Sequence, residues 1–194
     1  NASSCETLIG TTMYGKLEAS GAANIINVWS AGNDGNDKNP GAIGGSAIYD
    51  DDFKETTVIV VATDTYGLSG GSPTNNILAS YSNKCGIAAD ICIAAPGSIV
   101  RSTTYNGSYG YKSGTSMAAP LVSGGLAIIK QEFSSLTNAQ VVDRLFATAT
   151  DSGEYSKSTL YGHGMMNLNA ATTAVAKLQT INGSNLLDDP NTSY

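Results

Sequence analysis

A chain of 194 residues, 41% apolar and 13% charged, can bury a real core, and its length favours one domain over two. Its formal net charge of −6 provides no basic field to gather a phosphate backbone, so no nucleic-acid partner is expected. The longest apolar stretches, TVIVVAT and LVSGGLAIIK, are far too short for a membrane helix, so no membrane span is expected either.

The chain starts without an initiator Met, a charged n-region or a signal-peptide apolar run, and it reads as a mature piece or an excised segment. Residues 6–22 carry Leu8, Ile9, Met13 and Leu17 with few breakers besides Gly10 and Gly15, which predicts an amphipathic helix. NIINVWS at 24–30 predicts a short buried strand that stops where AGNDGNDKNPG supplies turn residues. The acidic run YDDDF at 49–53 could offer oxygens to a calcium ion, but it reads as a solvated loop; no cofactor or metal is assigned.

TTVIVVAT at 56–63 is apolar almost throughout, as expected of a strand covered on both faces. Residues 64–115 are loop-rich, with the short extended segments ILASYS, ICIAAP and IVRSTT between Gly, Pro, Asn and Ser clusters. A long helix at 117–133 is apolar on nearly every side, the mark of a central buried helix. A second helix begins after Thr137, with Gln140 placed to complete a capping box. A third is predicted at 169–178, and the polar residues 179–194 read as a tail, leaving 3–178 as the domain. Strand, loop, strand, then helices is an α/β pattern with a mostly parallel sheet, whose working residues sit in loops at the carboxyl ends of strands.

Two positions could carry chemistry. Ser116, in SGTSMAAP, follows Gly114 and Thr115 at the start of the long helix, where free N–H groups and the positive dipole end favour an oxyanion. Its alternative role is simply to cap that helix. Asn33, in SAGNDG, projects from the loop after the first strand and could donate to developing negative charge, although Asn-Asp-Gly is also ordinary turn chemistry. Of the three cysteines, Cys85 and Cys92 bound the short stretch CGIAADIC, and their spacing fits either a bridge or two buried thiols; Cys5 has no evident partner.

SAGNDG followed by SGTSMAAP and then by YGHGMMNLNAA resembles the subtilisin-like serine peptidases across residues 23–176. GTSMAAP matches the family's nucleophile signature, and AGN its oxyanion-hole signature; AAPG at 94–97 also matches. The resemblance implies a three-layer α/β domain in which Ser116 is the acyl-forming nucleophile and Asn33, with the Ser116 N–H, holds the oxyanion. It implies that Ser30, Ala31 and Gly32 line the primary specificity pocket with Asp34 near its base, and that Gly114 and Thr115 also meet the substrate, a polypeptide. The Cys85–Cys92 loop resembles that of autotransporter subtilases, which implies a disulfide and an extracellular or bacterial-surface location.

The resemblance breaks in one place. The family order is aspartate, histidine, serine, yet no Asp or His precedes Asn33. His163, the single histidine, lies in a stretch that resembles a structural turn of the family and is expected to be structural. The chain therefore reads as the C-terminal portion of a peptidase domain, incomplete at its N-terminal side and inactive alone. Its natural partner would be the missing N-terminal part, and its exposed sheet edge favours self-association. A domain that has lost catalysis and only binds peptides or a partner is the alternative. An unrelated nucleotide-binding domain is disfavoured, because no glycine fingerprint joins the first strand to a helix.

Overall fold

A computed structural model describes residues 9–35, 37–64 and 77–173, together with the backbone of 178–179 and 185–186. At its centre is a parallel trio of strands. β2 (Thr57–Asp64) pairs in parallel with β1 (Asn27–Ser30) on one side and β4 (Cys92–Pro96) on the other. The short β3 (Ile77–Leu78) returns antiparallel against the end of β2.

The nearly unbroken apolar run of β2 is explained by its two faces. Val58, Val60 and Ala62 enter one core, and Ile59 and Val61 enter the other, all completely buried. The first core is closed by α4 (Thr115–Glu132) and α5 (Asn138–Ala147), through residues such as Val122, Ile129 and Leu145. The second is closed by α1 (Thr11–Ala22) and α3 (Asp51–Lys54), through Tyr14, Leu17 and Phe53; α2 (Ala42–Gly45) packs nearby, its Gly44 against Trp29. The result is helix, sheet, helix, the three-layer α/β order expected.

Several boundaries move. The first helix begins only after Gly10, whose φ of +81° ends the preceding segment, while residues 6–8 lie outside the described ones. The first strand is Asn27–Ser30 rather than 24–30, because Asn24 takes a left-handed φ of +54° and its N–H closes the end of α1 on Gly21. Of ILASYS only Ile77–Leu78 is a strand; ICIAAP yields β4, and IVRSTT yields β5 (Val100–Thr103), paired antiparallel with β6 (Tyr109–Lys112). The capping box forms as read, Gln140 N–H donating to the Thr137 side chain and the Thr137 N–H to the Gln140 side chain.

YDDDF is no solvated loop. Asp50 is buried and accepts a hydrogen bond from the Tyr14 hydroxyl at 2.5 Å, and Asp51–Lys54 is helical. Among the described residues no cluster of three or more His, Cys, Asp or Glu could hold a metal. Of the third helix the described residues show Leu168–Thr172 (α6); residues 174–177 lie outside the described ones, and Leu178–Gln179 pairs with Asn185–Leu186 as a two-stranded ribbon. Cys85 and Cys92 form a disulfide, both fully buried, which closes the loop leading into β4.

Candidate functional site

The carboxyl ends of β1, β2 and β4 converge under the start of α4. Gly97, just after β4, makes this possible: its carbonyl accepts the Gly114 N–H at 2.9 Å, and its N–H donates to Thr63 at 3.1 Å. A Cβ on Gly97 would stand 2.4 Å from the Ala62 side chain, so the seam tolerates only glycine there. Ser113 adds a second tie, its hydroxyl accepting the Ile99 N–H at 2.9 Å.

α4 starts two residues earlier than its apolar pattern suggests, at Thr115 with Gly114 as N-cap. Ser116 therefore lies inside the first turn and does not cap the helix. Its side chain is exposed while Thr115 before it and Ala118 after it are buried. As a first-turn residue it has no intrahelical acceptor for its N–H, and among the described residues neither that N–H nor its hydroxyl has a partner.

Asn33 reaches the same place from the other side. Its side-chain oxygen accepts two hydrogen bonds from Thr115, from the backbone N–H at 2.9 Å and from the hydroxyl at 3.0 Å. A backbone N–H can only donate, so the atom facing Thr115 is the Oδ1 and the Nδ2 is the free end. The Thr115 hydroxyl also accepts the Gly32 N–H at 3.3 Å, so one buried threonine fixes both backbone and side chain of the loop. Gly114 lies against this amide: a Cβ there would be 3.7 Å from either polar atom of Asn33.

The rest of the loop is held by a residue that sequence reading missed. Asn83, completely buried, accepts the Asp34 N–H at 2.8 Å, donates to the Asp34 carboxylate at 3.2 Å, and sends its own N–H to the Gly32 carbonyl at 2.9 Å. Its role could not be read from the chain, because an Asn in ASYSNK is indistinguishable from a turn residue until its partner 49 positions away is known. Ala31 is buried with its N–H on Val60, whereas Ser30 and Asp34 are exposed.

Beneath the seam runs a chain of hydroxyls. Ser98 donates to the Asp64 carboxylate in a short hydrogen bond, and the Tyr81 hydroxyl meets Ser98 Oγ at 2.8 Å. With the serine proton committed to Asp64, the phenol is the donor. Burial holds the Tyr81 phenol above its ordinary range, with the Ser98 bond opposing, the Asp64 charge adding, and the Gly114 backbone opposing.

His163 does not join this site. Its backbone N–H bonds Cys92 at the opposite, amino end of β4, its ring stacks on Phe146 with centroids 4.2 Å apart, and its Nε2 meets the Asp90 carbonyl at 2.9 Å. The run from Cys92 to Gly97 spans roughly 15 Å of extended chain, far beyond hydrogen-bond reach of Ser116.

Ser116 is thus an exposed serine in the first turn of α4, preceded by the threonine that fixes the Asn33 amide, at the carboxyl edge of a parallel sheet. The chain belongs to the subtilase family: the Peptidase S8 (Subtilase family) model matches residues 1–164. It is 34% identical over 156 residues to Serotype-specific antigen 1 of Mannheimia haemolytica, covering 77% of this chain and 16% of that protein. It is 35% identical over 160 residues to Subtilisin NAT of Bacillus subtilis subsp. natto, covering 82% of this chain and 36% of that protein. Among solved structures it is similar to the patellamide maturation protease PatA, with a TM-score of 0.62 at 23% identity over 82% of this chain and 54% of that one. The chain thus spans about half, or less, of the length of the relatives it matches. The likeness to solved structures supports the subtilisin-like α/β fold.

Proposed function

We propose that this chain is the nucleophile-bearing part of a subtilisin-like serine endopeptidase that cleaves polypeptides through an acyl-enzyme on Ser116. The observation that supports this reading is the orientation of Asn33: its Oδ1 is occupied twice by Thr115, the residue before the exposed Ser116, which leaves its Nδ2 as the free donor end. In the reaction Ser116 Oγ attacks the peptide carbonyl while its proton passes to a base. The carbonyl oxygen gains negative charge and is met by the Asn33 amide and the Ser116 N–H, two donors in place before the reaction starts. The acyl-enzyme then forms as the leaving amine takes the proton, and water completes hydrolysis.

The base belongs to a segment outside these 194 residues. The single histidine is committed to Phe146 and Asp90, and no Asp precedes Asn33. The edge of β1 left unpaired among the described residues, and separately the exposed Leu121 and Ile128 of α4, support docking of such a segment, or of a second copy in its absence. In this reading Ser30, Ala31 and Gly32 border the acyl side of the substrate. The buried disulfide and the similarity to a serotype-specific antigen support an extracellular or bacterial-surface setting.

The test is complementation. The chain alone should show no turnover of a chromogenic peptide. Mixed or fused with a subtilase N-terminal segment carrying an aspartate and a histidine motif, it should acquire turnover that Ser116→Ala abolishes. Turnover by the chain alone, or turnover by the complemented protein that survives Ser116→Ala, would overturn the assignment. A complemented protein that binds peptide but never reacts would favour a domain that only binds.

A further inference from the structure

The stretch of sequence that leads into and follows Ser116 has the opposite charge character to the rest of the chain. The protein carries 16 acidic residues against 10 basic ones, yet residues 91–131 contain no Asp or Glu and include Arg101, Lys112 and Lys130. Two of these cations lie on the β5–β6 hairpin, whose second strand runs directly into Ser113, Gly114 and the nucleophile.

The register sorts the hairpin into two faces. Arg101 stands opposite Tyr111 and Thr103 opposite Tyr109, so these four share one face. The Arg101 guanidinium lies over the Tyr109 ring, 4.4 Å from its centroid, and is flanked by Tyr111 on the same strand. Lys112, opposite Val100, belongs to the other face and is exposed. Tyr105 at the tip is 87% exposed, Tyr109 63% and Tyr111 65%, which sets three open aromatic rings on one short hairpin. The tip itself is ordered by a Thr104–Ser108 pairing, the backbone N–H of Thr104 donating to Ser108 at 2.8 Å.

Among the described residues neither hairpin cation forms an ion pair. The ion pair found among the described residues is Lys157–Glu154, far along the chain, and the carboxylate of Asp64, at the adjoining strand end, is engaged by Ser98. A guanidinium stacked on a ring still presents its N–H edge to a carboxylate, and tyrosine faces accept extended backbone and side chains at low entropic cost.

We propose that the β5–β6 hairpin is a docking surface for acidic stretches of the polypeptide substrate, with Arg101 and Lys112 supplying the charge and Tyr105, Tyr109 and Tyr111 the contact area. This rests on the peptidase reading for the identity of the ligand as substrate. Two cations are too few for a polyphosphate partner in a chain of net charge −6.

The test is binding to the 194-residue chain itself. Labelled extended peptides of Glu, Gly and Phe, the matching peptides of Lys, Gly and Phe, and a single-stranded oligonucleotide are titrated by anisotropy at low and high salt. The acidic peptide should bind at least tenfold more tightly than the basic one at low salt, and the difference should shrink as salt rises. The double variant Arg101→Gln/Lys112→Gln should abolish the discrimination, and Tyr109→Ala should weaken acidic-peptide binding at least threefold. All three positions are exposed, and an unchanged melting temperature verifies that the fold is intact. Equal affinity for the two peptides, discrimination surviving in the double variant, or tighter binding of the oligonucleotide would overturn the proposal. If complementation yields Ser116-dependent turnover while the peptides are not distinguished, the docking surface falls and the peptidase reading stands. Discrimination without turnover gives the converse.

Discussion

Thr115 holds the side-chain oxygen of Asn33 with both its backbone N–H and its hydroxyl, across 82 positions of sequence. The pair converts an amide with two interchangeable ends into one with a fixed donor end. Asn33→Ala removes that donor, and in a complemented enzyme kcat should fall by about 10² to 10³, the cost of losing one oxyanion-hole donor in subtilisin. Thr115→Val keeps the backbone bond but loses the hydroxyl, leaving Asn33 less constrained and the Gly32 N–H unpaired. It should cost about 1 kcal/mol of stability by urea denaturation and lower kcat about tenfold with KM nearly unchanged. An unchanged kcat in Thr115→Val would mean that the threonine does not orient the amide.

Asn83 is the brace behind that loop. Replacing it by Ala would strand the Asp34 N–H and the Asp34 carboxylate contact while opening a small void, so a loss of about 1–3 kcal/mol is expected. The disturbance should be local to the Asn33 turn. Amide exchange should therefore accelerate at Gly32 to Gly35 well before it does in β2. Protection that falls equally in both places would show a general loss of stability and no bracing role.

The candidate site was more legible in the sequence than the residues that hold it in place. SGTSMAAP and SAGNDG mark positions whose neighbours along the chain carry the signal: a glycine before the helix, small residues where backbones approach. The Thr137–Gln140 box and the twice-buried β2 are likewise local patterns, and both appear as read. Asn83, Tyr81 and Ser98 acquire their meaning only from partners brought together by the sheet, so no local pattern announces them. YDDDF misleads for the same reason, since a buried Asp50 is intelligible only once Tyr14 is packed against it.

Asp143 should make the chain more stable when it is not charged. Burial raises its carboxyl above the ordinary 3.8, Glu55 nearby adds to this, and His163 partly opposes it. A raised folded value means the contribution is complete below the unfolded value and is lost as pH rises through the folded one. Asp143→Asn keeps the side chain neutral at every pH, so it should raise the melting temperature at pH 7 and confer no gain below about pH 3.5. A gain that stays constant across that range would point to packing instead of charge.

Tyr81 gives the complementary test at high pH. Its phenol donates to Ser98, whose own proton goes to Asp64, so the loop that bonds Gly114 rests on a neutral tyrosine. Burial, the largest influence, raises its folded value above 10.0, and the contribution to stability should be complete below the unfolded value and disappear as pH climbs through the folded one. Tyr81→Phe lacks the hydrogen bond at every pH, and at pH 7 it should be less stable by about 1 kcal/mol. As pH rises beyond 10 the wild-type chain loses the advantage and the two denaturation midpoints should converge. Tyr161, also raised by burial, is common to both chains and cancels in the difference. Midpoints that stay a constant distance apart from pH 7 to pH 11 would show that the Tyr81 proton does not support the seam beneath Ser116.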